Sequence, residues 1–234
     1  MKILCIGDSW TKGFGIDDVK DTWPRVLESL TDHTVHVVAE SGWRNDEILA
    51  ACEQTLDRES FDLVILGWSG VTRNPKGWSL SYSLQEDVDS PERAAFFART
   101  SVKNLQHTWL IQRRRTEIKA KVKKAQVVHF SVFGDQPGWN EEFRLQSYLE
   151  YLANQEGIYF KYSIPIFEFD FLNEKNLVAE EFAQRNFMPD WQRACVEREE
   201  VRMRESRQLF LACGHPSQEG HRLWAEYIKD TLAL

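Results

Sequence analysis

Apolar residues in this chain fall into short unbroken runs, separated by longer stretches in which they recur every three or four positions. Lys2 to Ile6 is such a run, closed by Gly7, and Thr34 to Ala39, Phe61 to Gly67 and Gln126 to Phe133 repeat the pattern. A shorter fifth run covers Ile158 to Tyr162. Apolar runs of this length predict strands buried on both faces, as in a parallel sheet. Between them, helical spacing covers about Thr22 to Leu30, Asn45 to Asp57, Pro91 to Lys124 and Glu141 to Gln155. An amphipathic helix from Leu223 to Leu232 closes the chain. Strands alternating with helices predict an α/β fold, its parallel sheet covered by helices on both faces.

Ligands of such sheets bind beyond the carboxyl ends of the strands. Gly7-Asp8-Ser9, Ser41-Gly42 and the residues from Gly67 onward all fall at those ends. Two stretches exceed what a sheet needs. Residues 76–125 include a long helix with a strongly basic end, and residues 165–211 read as two helices around Phe187-Met188-Pro189-Asp190-Trp191. Both are expected as helical insertions in one domain spanning 1–234, since no repeat or linker marks a boundary.

Length and composition narrow the class. The 234 residues suit one domain with a full core. With 42% hydrophobic and 28% charged residues, the chain has a folded, water-compatible balance. No apolar run approaches the roughly 18 residues of a spanning helix, so no membrane partner is expected. The first strand runs directly into Gly7-Asp8-Ser9 without a signal-peptide core, which predicts a cytoplasmic product. A net charge of −7 argues against nucleic acid as a partner. Arg113 to Lys124 is the local exception. It is read as a solvated face favoured at a helix C-terminus, with an acidic partner or nucleic acid as the other reading. Cys5, Cys52, Cys195 and Cys213 are scattered without a CxxC pair, so buried thiols are expected rather than a zinc site. Nothing in the sequence specifies the oligomeric state.

Candidate chemistry lies at the two chain ends. Ser9 follows the first strand in Gly7-Asp8-Ser9-Trp10-Thr11-Lys12-Gly13, and a serine nucleophile requires a base within reach. Near the other end stands Gly214-His215-Pro216-Ser217-Gln218-Glu219-Gly220-His221, where Pro216 restrains the backbone beside His215. Imidazole titrates near neutrality and can take a serine proton and return it. Asp8 is expected to steady the turn, and His221 is read as structural.

Gly-Asp-Ser near the start, paired with His-Pro-Ser-x-x-Gly-His near the end, resembles the SGNH (GDSL-type) hydrolase superfamily. The resemblance implies a three-layer flavodoxin-like sandwich, here with a parallel five-stranded sheet. It implies a serine ester hydrolase of esterase, deacetylase or lipase type, acting on a small-molecule or carbohydrate ester without metal or organic cofactor. By the same resemblance Ser9 is the nucleophile and His215 the base. The oxyanion hole is then formed by the Ser9 N–H, Gly42 and an asparagine after the third strand. Glycine at position 42 suits a close backbone approach to substrate.

Two blocks depart from that pattern. The family has Gly-x-Asn-Asp after the third strand, whereas this chain has Gly67-Trp68-Ser69-Gly70-Val71-Thr72-Arg73-Asn74. Ser69 stands in the asparagine slot, and Asn74 is taken as the third donor, with Arg73 as the alternative. The acid that orients the histidine normally lies two or three residues before it, where this chain has Cys213 and Ala212. A Ser–His dyad, or a carboxylate from elsewhere, remains open.

A rival to hydrolysis is an SGNH-fold binding module with weak or no catalysis, recognising a glycan or nucleic acid. Trp10, Trp43, Trp68 and Trp78, near the three site loops, would form its aromatic wall. The bland alternative places these rings in the core, as expected for Trp109 and Trp224. A flavodoxin-like phosphate binder is the third possibility, opposed by a carboxylate in the first turn and no Walker spacing.

Overall fold

A computed structural model describes residues 1–70, 102–132, 145–155, 208–211 and 215–234. Ile3, Leu4, Cys5 and Ile6 are fully buried in β1 (Lys2–Gly7), as an apolar run without alternation requires of a central strand. β1 pairs in parallel with β2 (Thr34–Ala39) on one side and β3 (Leu63–Trp68) on the other. β4 (Gln126–Ser131) extends the sheet beyond β3, giving the order β2-β1-β3-β4. Four parallel strands are present among the described residues. The expected fifth, at 158–162, lies outside them, as do residues 76–101 and 165–207 of the expected insertions.

Parallel neighbours require crossovers. The chain passes from β1 through α1 (Ser9–Lys12) and α2 (Trp23–Leu30) to β2, and through α3 (Asn45–Arg58) to β3. α4 (Val102–Val122) leads into β4, followed by α5 (Tyr148–Gln155) and α6 (Gln218–Leu232). α2 packs on α6, and α3 packs on α4. On the first pair's side, the Phe130 ring meets Trp23 and Trp224 edge-on at 5.7 and 5.3 Å, and Tyr148 stacks on Trp224 at 4.4 Å. On the other side, Trp68 meets Trp109 edge-on at 6.2 Å. Its indole N–H donates to His129 Nδ1 at 3.1 Å, and His129 Nε2 lies 3.4 Å from Glu117 Oε1. That imidazole and the Arg113 guanidinium hold the Glu117 carboxyl down at about 2.

Of the two readings of the tryptophans, the core one holds for Trp10 and Trp68, which are buried, while Trp43 is partly buried against the core, so no aromatic wall forms from Trp10 and Trp68. Trp78 lies outside the described residues. α6 begins at Gln218, five residues earlier than its apolar spacing predicts, because Ser217 caps it by accepting the Gly220 N–H. α5 begins at Tyr148 rather than Glu141, since residues 145–147 are not helical.

Three residues of the basic end of α4 are paired within the protein. Arg113 binds Glu117, Arg115 binds Glu53 and Lys119 binds Asp57, the last two tying α4 to α3. Cys5 and Cys52 are buried free thiols, Cys52 pushed up to about 12 by desolvation and Cys5 higher still. No helix among the described residues is long and apolar enough to cross a membrane.

Candidate active site

The carboxyl edge of the sheet is shaped by three loops fastened to one another. After β1, Asp8 takes an extended conformation, and its Oδ1 accepts the Trp10 N–H at 3.0 Å. Its carbonyl accepts the N–H groups of Thr11 and Lys12 at 3.0 and 2.9 Å. Asp8 therefore starts α1, and Ser9 becomes the first helical residue, whose N–H has no preceding turn to bond. Asp8 steadies the turn, as its position in the sequence implies.

His215 arrives from the far end of the chain. Leu211 N–H donates to the His215 carbonyl and Ser217 N–H to the Leu209 carbonyl, each at 2.8 Å. Phe210 and Pro216 form an antiparallel bridge between the same segments. The Ser217 hydroxyl donates to the Gln208 carbonyl while capping α6. The histidine is thus held in a short hairpin two residues ahead of the cap. His215 Nε2 lies 3.0 Å from Ser9 Oγ, although the two residues are 206 positions apart in the chain. The Phe14 ring packs on the imidazole at 4.8 Å and the buried Trp10 ring lies at 6.0 Å.

The loop after β2 turns on Gly42. Trp43 N–H donates to the Glu40 carbonyl at 3.4 Å, closing a four-residue turn whose third residue has φ +87°. That is the left-handed position of a type II turn, where a side chain is strained. The Glu40 carboxylate accepts the Ser41 N–H at 3.0 Å and also binds the Lys12 ammonium. These bonds, the lysine's first, hold its carboxyl below the usual range and tie the first loop to the second. The second loop is tied to the third by Asn45, whose Nδ2 donates to the Ser69 carbonyl at 3.1 Å. Both residues are buried, and Asn45 Oδ1 has no hydrogen-bond partner among the described residues.

Ser9 and His215 are brought together, and Gly42 sits at the same sheet edge. Asn74, Arg73, Ala212 and Cys213 lie outside the described residues. Sequence reasoning did not single out Phe14, Glu40 or Lys12 as parts of the site, and read Asn45 only as a helix start. An aromatic between two glycines, Gly13-Phe14-Gly15, was the one available signal.

His221 is structural, as expected. It is fully buried, its Nδ1 accepts the Trp23 N–H at 3.2 Å, and Tyr148 Oη lies 3.0 Å from the same nitrogen. With Nδ1 accepting, the ring proton sits on Nε2 and the tyrosine hydroxyl donates. Desolvation first, and His215 second, pull its pKa down to about 3.

No family model matches the chain, and no curated protein matches its sequence. Solved structures do share its fold. The crystal structure of TesA is 15% identical, with a TM-score of 0.52 over 99% of this chain and 98% of that one. A protein described as lipolytic and of the G-D-S-L family, from Desulfitobacterium hafniense DCB-2, is 14% identical. Its TM-score is 0.50, over 98% of each chain. The chain therefore shares the α/β fold of these two structures, the fold its terminal motifs led one to expect.

Proposed function

We propose that this chain is a serine ester hydrolase in which Ser9 is the nucleophile and His215 the base. The observation that carries the proposal is the 3.0 Å approach of His215 Nε2 to Ser9 Oγ at the carboxyl edge of the sheet. A hydroxyl and an imidazole at this distance are set for proton transfer.

Ser9 Oγ attacks the ester carbonyl carbon as its proton passes to His215 Nε2, and the carbonyl electron pair moves onto oxygen. The oxyanion is held by the N–H groups of Ser9 and Gly42, with Asn74, which lies outside the described residues, as the third donor in place of the family's asparagine, whose slot holds Ser69. Collapse breaks the bond to the alcohol oxygen, which leaves with the proton from His215. Water then attacks the acyl-Ser9 ester, giving its proton to His215 and releasing the acid, and Ser9 regains its proton. The Asp8 cap holds Ser9 at the helix start, while Glu40 and Asn45 hold the neighbouring loops in register. The folds of TesA and the Desulfitobacterium protein support the same reading.

The glycan- or nucleic-acid-binding alternative has less support. It rested on an aromatic wall whose Trp10 and Trp68 are in the core, and on basic residues three of which are paired internally. A cytoplasmic location and a small-molecule or carbohydrate ester as substrate belong to the same proposal.

The test is covalent labelling with a fluorophosphonate and hydrolysis of p-nitrophenyl acetate. Labelling and turnover are expected in the wild type, both lost in Ser9→Ala and turnover lost in His215→Ala. Activity that survives Ser9→Ala overturns the assignment.

A further inference from the structure

Phe14 is a large apolar side chain left about half exposed (49%) in direct contact with His215. A single exposed apolar residue is ordinarily uninformative. This one is held from both sides. Its N–H donates to the carbonyl of Ser9 at 3.0 Å, and Ile16 N–H closes a turn onto the Gly13 carbonyl at 3.1 Å. Gly13 and Gly15 flank it at φ +81° and +84°, conformations that side chains rarely adopt. Gly15 also lies close against Leu211, since a Cβ there would come within 2.7 Å of Leu211 Cδ1. Leu211 in turn donates its N–H to the His215 carbonyl. The ring is therefore braced by the backbone of Ser9 and by the hairpin carrying His215. Trp10, which also lies against the imidazole, is buried, so among the described residues Phe14 is the solvent-facing aromatic beside it.

In acyl transfer the base returns its proton to the departing alcohol oxygen, so the alcohol part of the ester must pass beside the imidazole. An apolar surface against that imidazole lowers the free energy of an apolar alcohol group more than of a small or polar one. We propose that Phe14 is a specificity-determining residue that selects esters of apolar alcohols. This rests on the Ser9–His215 reading. The ring touches the alcohol portion, and the acyl portion is selected elsewhere.

The experiment uses the full chain and four acetate esters with a common acyl group: ethyl, hexyl, benzyl and glyceryl acetate. In the wild type, kcat/KM is expected to be higher for hexyl and benzyl than for ethyl and glyceryl acetate. In Phe14→Ala the hexyl-to-ethyl ratio of kcat/KM is expected to fall about 10-fold, chiefly through KM, with Phe14→Leu recovering most of the loss for hexyl acetate. Fluorophosphonate labelling of Ser9 persists in both variants, which separates lost selectivity from a failure to fold. A uniform loss across the four esters, carried by kcat, assigns Phe14 to shielding or positioning the imidazole and overturns the proposal. Absence of Ser9-dependent turnover of every ester by the wild type overturns the hydrolase reading and this proposal with it. Turnover with an unchanged ratio overturns this proposal alone.

Discussion

The Asn45 side-chain amide donates to the Ser69 carbonyl at 3.1 Å, joining the exits of β2 and β3 at the edge where Ser9 meets His215. Both residues are buried, so the bond is shielded from water. Losing one intramolecular hydrogen bond costs about 0.5–1.5 kcal/mol. Asn45→Ala should therefore lower stability by that amount in urea denaturation. Asn45→Asp should cost more at pH 7, because it buries a carboxylate against the like partial charge of the Ser69 carbonyl oxygen. Wild-type stability in Asn45→Ala would show that the bond contributes little.

Asp8 and Ser9 are coupled through the start of α1. Removing the cap acceptor in Asp8→Ala should lower stability by about 0.5–2 kcal/mol. It should also slow fluorophosphonate labelling, since Ser9 is positioned by that turn. Asp8→Asn keeps an oxygen able to accept the Trp10 N–H and should stay closer to wild type in both measurements. A labelling rate indifferent to both changes would remove Asp8 from the positioning of Ser9.

How much of this was legible beforehand depends on what each residue meets. Lys2 to Ile6 announced its strand because an apolar run buried on both faces has few other uses, whereas Thr34 to Ala39 is a strand at the sheet edge, with Thr34 and His36 exposed. The Ser9 and His215 motifs were legible as a pair from opposite ends of the chain. Tryptophan identity was ambiguous: Trp68 lies inside β3 itself and Trp10 under the site, and ring size alone cannot separate a wall from a core. The first turn of α6 was hidden by polar Gln218-Glu219 and by Gly220, whose added Cβ would come within 2.5 Å of the Leu209 carbonyl oxygen. The basic run of α4 hid its partners, because Glu53 and Asp57 face it only once α3 packs on α4. Asn45 gained its role from a contact with a residue distant in sequence and leaves no local pattern, whereas Phe14 is marked only by the glycines on either side of it.

Gly42 separates conformational strain from steric fit. A Cβ built there meets nothing within 4 Å, so Gly42→Ala is opposed by the φ of +87° and not by a clash. The left-handed conformation costs a non-glycine residue about 1–2 kcal/mol. If the turn relaxes to relieve it, the Gly42 N–H moves away from the oxyanion position. The expected result is a small loss of stability together with a fall in kcat of about 100- to 1000-fold. A kcat within a few-fold of wild type would exclude this N–H from the oxyanion hole.

His221 makes stability depend on pH. Its pKa is ordinary, near 6.5, in the unfolded chain and about 3 in the fold, where burial and His215 oppose the charge. Among the described residues, the Trp23 N–H, the Tyr148 hydroxyl and Gly13 face its ring and His215 acts on it from nearby, none of them an anionic counter-charge. A depressed folded pKa means that the unfolded state takes the proton first. The contribution is full above pH 6.5 and is lost as pH falls toward 3, at up to about 1.4 kcal/mol per unit for one proton. His129, also lowered by desolvation, acts in the same direction, and Glu117 adds to it only below its ordinary value of 4.5. Urea midpoints should therefore decline from pH 6.5 to 4.5 in the wild type. His221→Asn places an oxygen near the Nδ1 position and cannot titrate. It should be less stable at pH 7 through lost packing, yet lose stability more gently on acidification, with a slope lower by up to one proton. An identical pH slope in the two proteins would assign the acid sensitivity to other groups.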